Sequence, residues 1–228
     1  MAIIGVEQGN DVLGGVPVAV GFCRLCQTVV VYNRHYQSMP MTLGHSTGLA
    51  RDAFIFYDLE TESLWVHGSG EAIEGPLRGA CLEQLAGRLT TWQSWKDSYP
   101  HTTVVRRRSG QKNAGLVATR HHGLSITIET EPRLYPYAMM WEAKVINDAL
   151  GGKHNVVVST PDMWIGAAFE RGDRVFCSTT DGIVDESGAL WNMLTGTLLT
   201  AISVVPWARD RWQVFYPRGS VYSQSDPD

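Results

Sequence analysis

The sequence predicts an α+β protein dominated by strands: two related β-rich repeats packed as a pseudo-twofold unit, with few short helices. Three observations carry this reading. Short β-branched or aromatic runs bounded by turn residues recur along the chain. The motif Asn10-Asp11-x-Leu13-Gly14-Gly15 returns 137 residues later as Asn147-Asp148-x-Leu150-Gly151-Gly152. Further matches follow in the same order at a shrinking offset, so the second copy is a shortened version of the first.

In chain order, "VPVAVGF", "TVVVYNR", "DAFIFYDL" and "SLWVHG" read as strands of the first repeat. "HNVVVST", "IGAAFER", "RVFCSTT" and "ALWNML" read as those of the second. Each Gly-Gly pair stands just before a strand and suits a turn that needs positive φ. Helices are expected near 82–89 ("LEQLAGRL"), at 142–150 ("EAKVINDAL", with Gly151 as a C-cap), and in "TWQSWKDSYP", where Pro100 stops it. Tyr32 and Arg34 meet Phe169 and Arg171 at the offset of 137. Leu64-Trp65 and Gly70 answer Leu190-Trp191 and Gly196. Trp95, Tyr99 and Pro100 answer Trp212, Tyr216 and Pro217. Tryptophans that recur in this way are expected in the core. The division expected is a first repeat at 5–105 and a linker with one strand at 106–133. A second repeat at 134–223 and a disordered tail at 224–228 complete it.

Composition narrows the function classes. The 228 residues suffice for a sizeable core, and 44% hydrophobic with 18% charged is an ordinary globular mix. A net charge of -4 gives no electrostatic footprint for nucleic acid. The one basic run, Arg106-Arg107-Arg108, reads as a solvated linker. No apolar run is long enough for a membrane span, and the first residues are charged too soon for a signal peptide. The chain as written is expected in the cytoplasm, or outside it if its N-terminus is trimmed. Four cysteines do not make a disulfide scaffold, and Cys81 and Cys177 are expected to be buried thiols. No phosphate loop, nucleophile elbow or zincin motif is present, so no nucleotide cofactor is expected.

The chemistry centres on Cys23 and Cys26 in "VAVGFCRLCQTVVVYNR". Three valines follow and disfavour the helix on which a thioredoxin-type pair depends. The pair therefore sits across a strand–turn–strand, which can aim two thiolates at one ion, form a reversible disulfide or simply pack two thiols. If a metal is held, the remaining ligands must come from other residues. His45 follows a turn and His67 ends a strand; Met39 and Met41 offer softer thioether sulfur. In the second repeat Cys23 meets Thr160, Cys26 meets Met163 and His67 meets Met193, while the segment with His45 has no counterpart. His35, His101 and His154 read as surface residues, His121-His122 as linker, and Asp58, Glu60 and Glu62 as a solvated hairpin turn. The expected site is Cys23, Cys26, His45 and His67 around a transition metal ion, zinc or copper. Three ligands with an open position would permit catalysis, including redox at copper, and four would make the site structural. Two other readings stand beside it: a thiol–disulfide protein using Cys23/Cys26, and a non-catalytic module that binds a small molecule or a protein.

The order of motifs resembles the bacterial and archaeal family known as domain of unknown function 3179. The likeness rests on the Asn-Asp-x-x-Gly-Gly turn, the Cys-x-x-Cys hairpin and the run from Ser63 to Leu77. It covers 9–105 well and 134–223 more faintly. The resemblance implies a His in a Trp-His-Glu segment before the Asn-Asp, which with the two cysteines would suggest a metal site. Here Val6 stands at that place with Glu7 retained, and the second copy has Trp141 but Ala143. The family-type ligand is missing from both copies, which leaves His45 or His67 to substitute for it or the site altered.

Overall fold

The computed structural model describes residues 8–23, 25–87, 90–103, 122–159, 166–192 and 199–224. The arginine run, His121, Thr160, Met163, Met193 and the last four residues lie outside these. The chain divides into two compact units. The first holds the chain as far as Leu85 together with Pro206–Pro217; the second holds most of the remainder. Three short helices are found among the described residues: α1 (Trp92–Ser98), α2 (Tyr137–Ala143) and α3 (Arg209–Phe215).

In the first unit, β1 (Gln8–Leu13), β2 (Val16–Cys23) and β3 (Thr28–Asn33) form an antiparallel meander. A short pair follows, β4 (His35–Tyr36) with β5 (Met39–Pro40). Then β6 (Leu43–Ala50), β7 (Ala53–Asp58), β8 (Leu64–Val66) and β9 (Ala72–Glu74) make an antiparallel sheet in sequence order. In the second unit, β10 (His122–Ile128) pairs antiparallel with β11 (Glu131–Pro136). A second meander is built from β12 (Val145–Leu150), β13 (Lys153–Ser159) and β14 (Gly166–Glu170). A smaller sheet follows, from β15 (Phe176–Ser178), β16 (Ile183–Asp185) and β17 (Leu190–Trp191). β18 (Thr200–Ile202) pairs with β14, and β20 (Ser220–Val221) runs parallel to β11; β19 (Val205–Ala208) leads into α3 of the first unit.

The two meanders share one register. Asn10 opposes Ala19 as Asn147 opposes Val156; Ala19 opposes Tyr32 as Val156 opposes Phe169. Both first hairpins turn on a Gly-Gly pair in the left-handed region, φ 58° and 83° at Gly14-Gly15 and 57° and 74° at Gly151-Gly152. Two positive φ values in a two-residue loop match the strand twist, and glycine takes them without steric cost.

Three side-chain clips recur on this frame. Asn10 donates to Leu43 O and accepts from Leu43 N–H; Asn147 does the same with Phe176. Arg34 Nε donates to Val18 O, and Arg171 Nε to Asn155 O. The Trp65 indole N–H donates to Asp58 at 2.8 Å, and that of Trp191 to Asp185 at 3.0 Å. Asp58 is fully buried and also accepts from Thr61, so it closes the β7–β8 turn from within, whereas a solvated acidic turn was expected.

Several expectations are corrected. Residues 145–150 form β12 and not a helix. Val145 and Ile146 favour extended backbone, Asn147 and Asp148 are weak helix formers, and β13 completes the ladder. The helix lies upstream as α2, and Gly151 serves a hairpin turn. The stretch from Leu82 to Leu85 is extended beside β3: Leu85 N–H donates to Val31 O, and Asn33 N–H to Glu83 O. Residues 88 and 89 of that expected helix lie outside the described ones. The helix in "TWQSWKDSYP" is present, with Thr91 Oγ1 accepting from Ser94 N–H at its N-terminus. Trp65 and Trp212 are fully buried, but Trp95 is 38% exposed and stacks on Tyr99. Cys81 and Cys177 are exposed, not buried.

Asp58→Ala strands the buried indole N–H and the Thr61 donors. We expect it to lower the unfolding free energy by about 2–4 kcal/mol, since buried partners of a carboxylate are costly to leave unpaired. Urea denaturation at unchanged slope measures this. The same change at Asp185 is expected to cost less; equal losses would contradict the inward role of Asp58.

Candidate metal centre

The inner face of the first meander is set by strand alternation. Ala19, Gly21 and Cys23 on β2 oppose Tyr32, Val30 and Thr28 on β3, and all six are buried. Cys23 is the last residue of β2 and Cys26 lies in the turn before β3. Leu25 points outward, 55% exposed, while Cys26 is turned wholly inward. The Cys-x-x-Cys spacing thus spans a hairpin turn, with Gln27 at φ 55° closing it.

His67 reaches this face from the turn after β8. Its N–H donates to Phe54 O at 3.1 Å, and its carbonyl accepts from the Tyr32 hydroxyl at 2.8 Å. The ring lies against Gly21: a Cβ placed there would stand 2.7 Å from both Cδ2 and Nε2. Phe54 packs on the imidazole with ring centroids 4.2 Å apart. The Thr28 hydroxyl links the parts, 2.8 Å from Cys26 Sγ and 3.2 Å from His67 Nδ1. One ligand atom each from Cys23, Cys26 and His67 lie within 4.8 Å of one another, and all three residues are buried.

The surroundings prepare these donors. Burial disfavours the imidazolium and pushes the His67 pKa down to about 3, so the ring is neutral with a lone pair available. The neighbouring Cys26 thiol, and then backbone N–H groups, hold Cys23 well below the ordinary thiol range against the effect of burial. The Cys26 N–H lies 3.4 Å from Cys23 Sγ. Cys26 is pushed up in turn, first by Cys23 and then by burial. The two thiols therefore titrate together and not independently. Nε2 of His67 is buried without a hydrogen bond of regular geometry. Two sulfurs and one neutral imidazole are a donor set that fits a soft or borderline ion.

Of the expected ligands, Cys23, Cys26 and His67 come together. His45 does not join them: it is exposed on β6 and packs on the Phe54 ring at 4.9 Å. Met41 is buried in the core and Met39 is half-buried on β5. Gly21 and Thr28 escaped the sequence reading. The signal was available: a glycine inside a valine-rich strand indicates close approach by another group, and position 137 residues on is Val158. Thr28 lies two residues beyond Cys26 on the inward face of β3.

At the counterpart of this place, the second meander has an apolar cavity. It has room for about 20 Å³, opens to solvent, and is lined by Val156, Val158, Phe169, Phe176, Ile183 and Trp191 among others.

A β-rich unit carrying a buried Cys-x-x-Cys–His cluster is what fold and site define. Residues 7–115 match the family described as "Protein of unknown function (DUF3179)", the one its motifs resemble. No curated protein and no solved structure matches the chain. No helix among the described residues is long and apolar enough to cross a membrane.

Two outcomes test this geometry. Gly21→Ala is expected to displace the His67 ring and cost about 1–3 kcal/mol as an overpacked interior. A changed imidazole NMR signal with a lowered denaturation midpoint shows it; an unchanged ring signal contradicts the contact. In native reduced protein, an aromatic disulfide reagent is expected to modify Cys81 and Cys177 rapidly. Cys23 and Cys26 should react only on unfolding. Rapid modification of all four contradicts their burial.

Proposed function

We propose that this protein binds a transition metal ion, zinc or copper, through Cys23, Cys26 and His67, with His45 outside the donor set. The observation that carries the reading is the convergence of three buried donor atoms within 4.8 Å. Support comes from the frame: the second meander keeps the register and clips of the first, with Val158 in place of Gly21. The scaffold therefore stands without the donors. For a tetrahedral ion with metal–sulfur bonds of about 2.3 Å, donors lie about 3.8 Å apart, a contraction that a hairpin turn can supply.

A second reading has one observation in its favour. The Cys26 N–H toward Cys23 Sγ is the arrangement that supports a nucleophilic thiolate in a disulfide-exchange pair. Against it, the two cysteines are 1% and 0% exposed, which denies a protein disulfide an approach.

Elemental analysis of protein purified without a histidine tag separates the two. About one equivalent of zinc or copper is expected, lost in Cys23→Ser/Cys26→Ser, weakened at least about tenfold in His67→Gln, and unchanged in His45→Ala. Freshly reduced protein that takes up no metal under any loading condition would overturn the metal reading. Two thiols appearing on reduction of the native protein would favour the exchange reading.

A further inference from the structure

We infer that Gln8 belongs to the same centre and supplies the ion with a further donor, its carboxamide oxygen. This rests on the metal reading above and adds a residue to it. It applies to zinc and to copper alike.

The first ground is register. β1 and β2 pair antiparallel, with Gln8 directly opposite Gly21. Directly paired residues direct their side chains to the same face of a sheet. Gly21 faces inward, against the His67 ring, so Gln8 is carried on that inner face too. Asn10, two residues on, shares this face and reaches across to Leu43 of β6. Paired Cβ positions lie about 5 Å apart. The one at residue 21 would stand 2.7 Å from His67 Nε2. The methylenes of a glutamine are long enough to carry its carboxamide across that interval.

The second ground is unpaired polarity. Gln8 is half-buried as a residue, yet both its carboxamide atoms are wholly covered and neither has a hydrogen-bond partner. His67 Nε2 is in the same condition. Buried polar side-chain atoms are nearly always paired, and an exception calls for an ion or a water. Here the two groups stand on one face, beside one glycine, without bonding to each other. A cation between them satisfies both, because a ring nitrogen and a carbonyl oxygen each offer it a lone pair. The sulfurs decide for a cation over a water alone: atoms of Cys23 and Cys26 lie within 4.8 Å of the same ring.

The third ground is the chemistry of the donor. A carboxamide oxygen is neutral and adds no charge to a centre that already holds two sulfurs. It serves as a weak contact beside sulfur and nitrogen, a part glutamine takes at some copper sites, and zinc accepts oxygen as a fourth ligand. Gln27 Oε1 is also buried without a partner. Gln27, however, sits in the turn at φ 55°, and no strand pairing places it on the inner face. It provides the control.

The test uses the full chain, reduced, handled without oxygen and loaded in turn with zinc, copper(I) and cobalt(II). Gln8→Leu is expected to hold each ion that the unaltered chain retains at least about tenfold more weakly, by competition with a chelator. The visible bands of its cobalt(II) form should shift, since they report the donor set. Gln8→Glu restores an oxygen donor and should restore retention, and Gln27→Leu should change neither reading. Urea denaturation of metal-free protein supplies the readout that a merely structural role would reverse. Gln8→Leu removes an unpaired buried carboxamide, so its midpoint should rise while its metal binding falls. A Gln8→Leu chain that holds the ions as tightly, with the same cobalt(II) spectrum, overturns the assignment of Gln8 while the metal reading stands. An unaltered chain that takes up none of the three ions brings down both.

Discussion

The contact between the His67 imidazole and the bare backbone of Gly21 is the constraint on which the rest of the site depends. A side chain of any size at residue 21 would occupy the volume where the ring lies. The ring must also be delivered there, and two backbone anchors do so: the His67 N–H to Phe54 O and the His67 carbonyl to the Tyr32 hydroxyl. Tyr32 and Gly21 lie on the same inner face of the meander, so the strands that supply the floor also hold the ring's own peptide group. Once the ring is seated, Nδ1 meets Thr28, and Thr28 meets Cys26. These contacts hold the three side chains together, which would reduce the reorganisation that binding of the proposed ion requires.

The two meanders show how one frame supports unlike interiors. Asn10 and Asn147, Arg34 and Arg171, Asp58 and Asp185 make the same bonds at equivalent places. These clips satisfy backbone groups at strand ends and fix where the next sheet begins, independently of what fills the interior. In the first unit that interior holds two thiols, an imidazole and a threonine. In the second it is lined by valines, phenylalanines and Trp191, and a cavity is left. The Thr28 hydroxyl, between Cys26 Sγ and His67 Nδ1, gives these buried polar groups partners in one another.

Much of the frame was legible from local chemistry. Gly-Gly before a strand announces a two-residue hairpin, and both copies form it. Cys-x-x-Cys followed by three valines indicates a turn between strands, and the structure has that turn. The failures have physical causes. Residues 142–150 combine a plausible end signal at Gly151 with a pattern short enough to fit either period, and pairing with β13 decided in favour of the strand. Asp58 looked solvated because a carboxylate usually is; only the indole seven residues on, folded back across the turn, makes its burial tolerable. His45 and His67 could not be ranked because both follow strand or turn residues. What separates them is which one finds an opening across the sheet, and the opening is made by Gly21, distant in sequence. Cys81 and Cys177 were misjudged because small apolar neighbours in sequence do not ensure neighbours in space.

Gly21 acts by what it lacks, and this makes acquiring and losing the site unequal events. Almost any single replacement of the glycine adds atoms and closes the seat. Opening such a seat in the second meander would require Val158 to shrink, two sulfurs to appear in one turn, and an imidazole to arrive from another strand, none of which is useful alone. A lineage could abandon the centre in one step and keep a sound fold, as the second meander's intact register illustrates. It could not readily return. The lone glycine in a run of valines is therefore the most economical single position at which to read whether a chain of this kind still has room for its histidine.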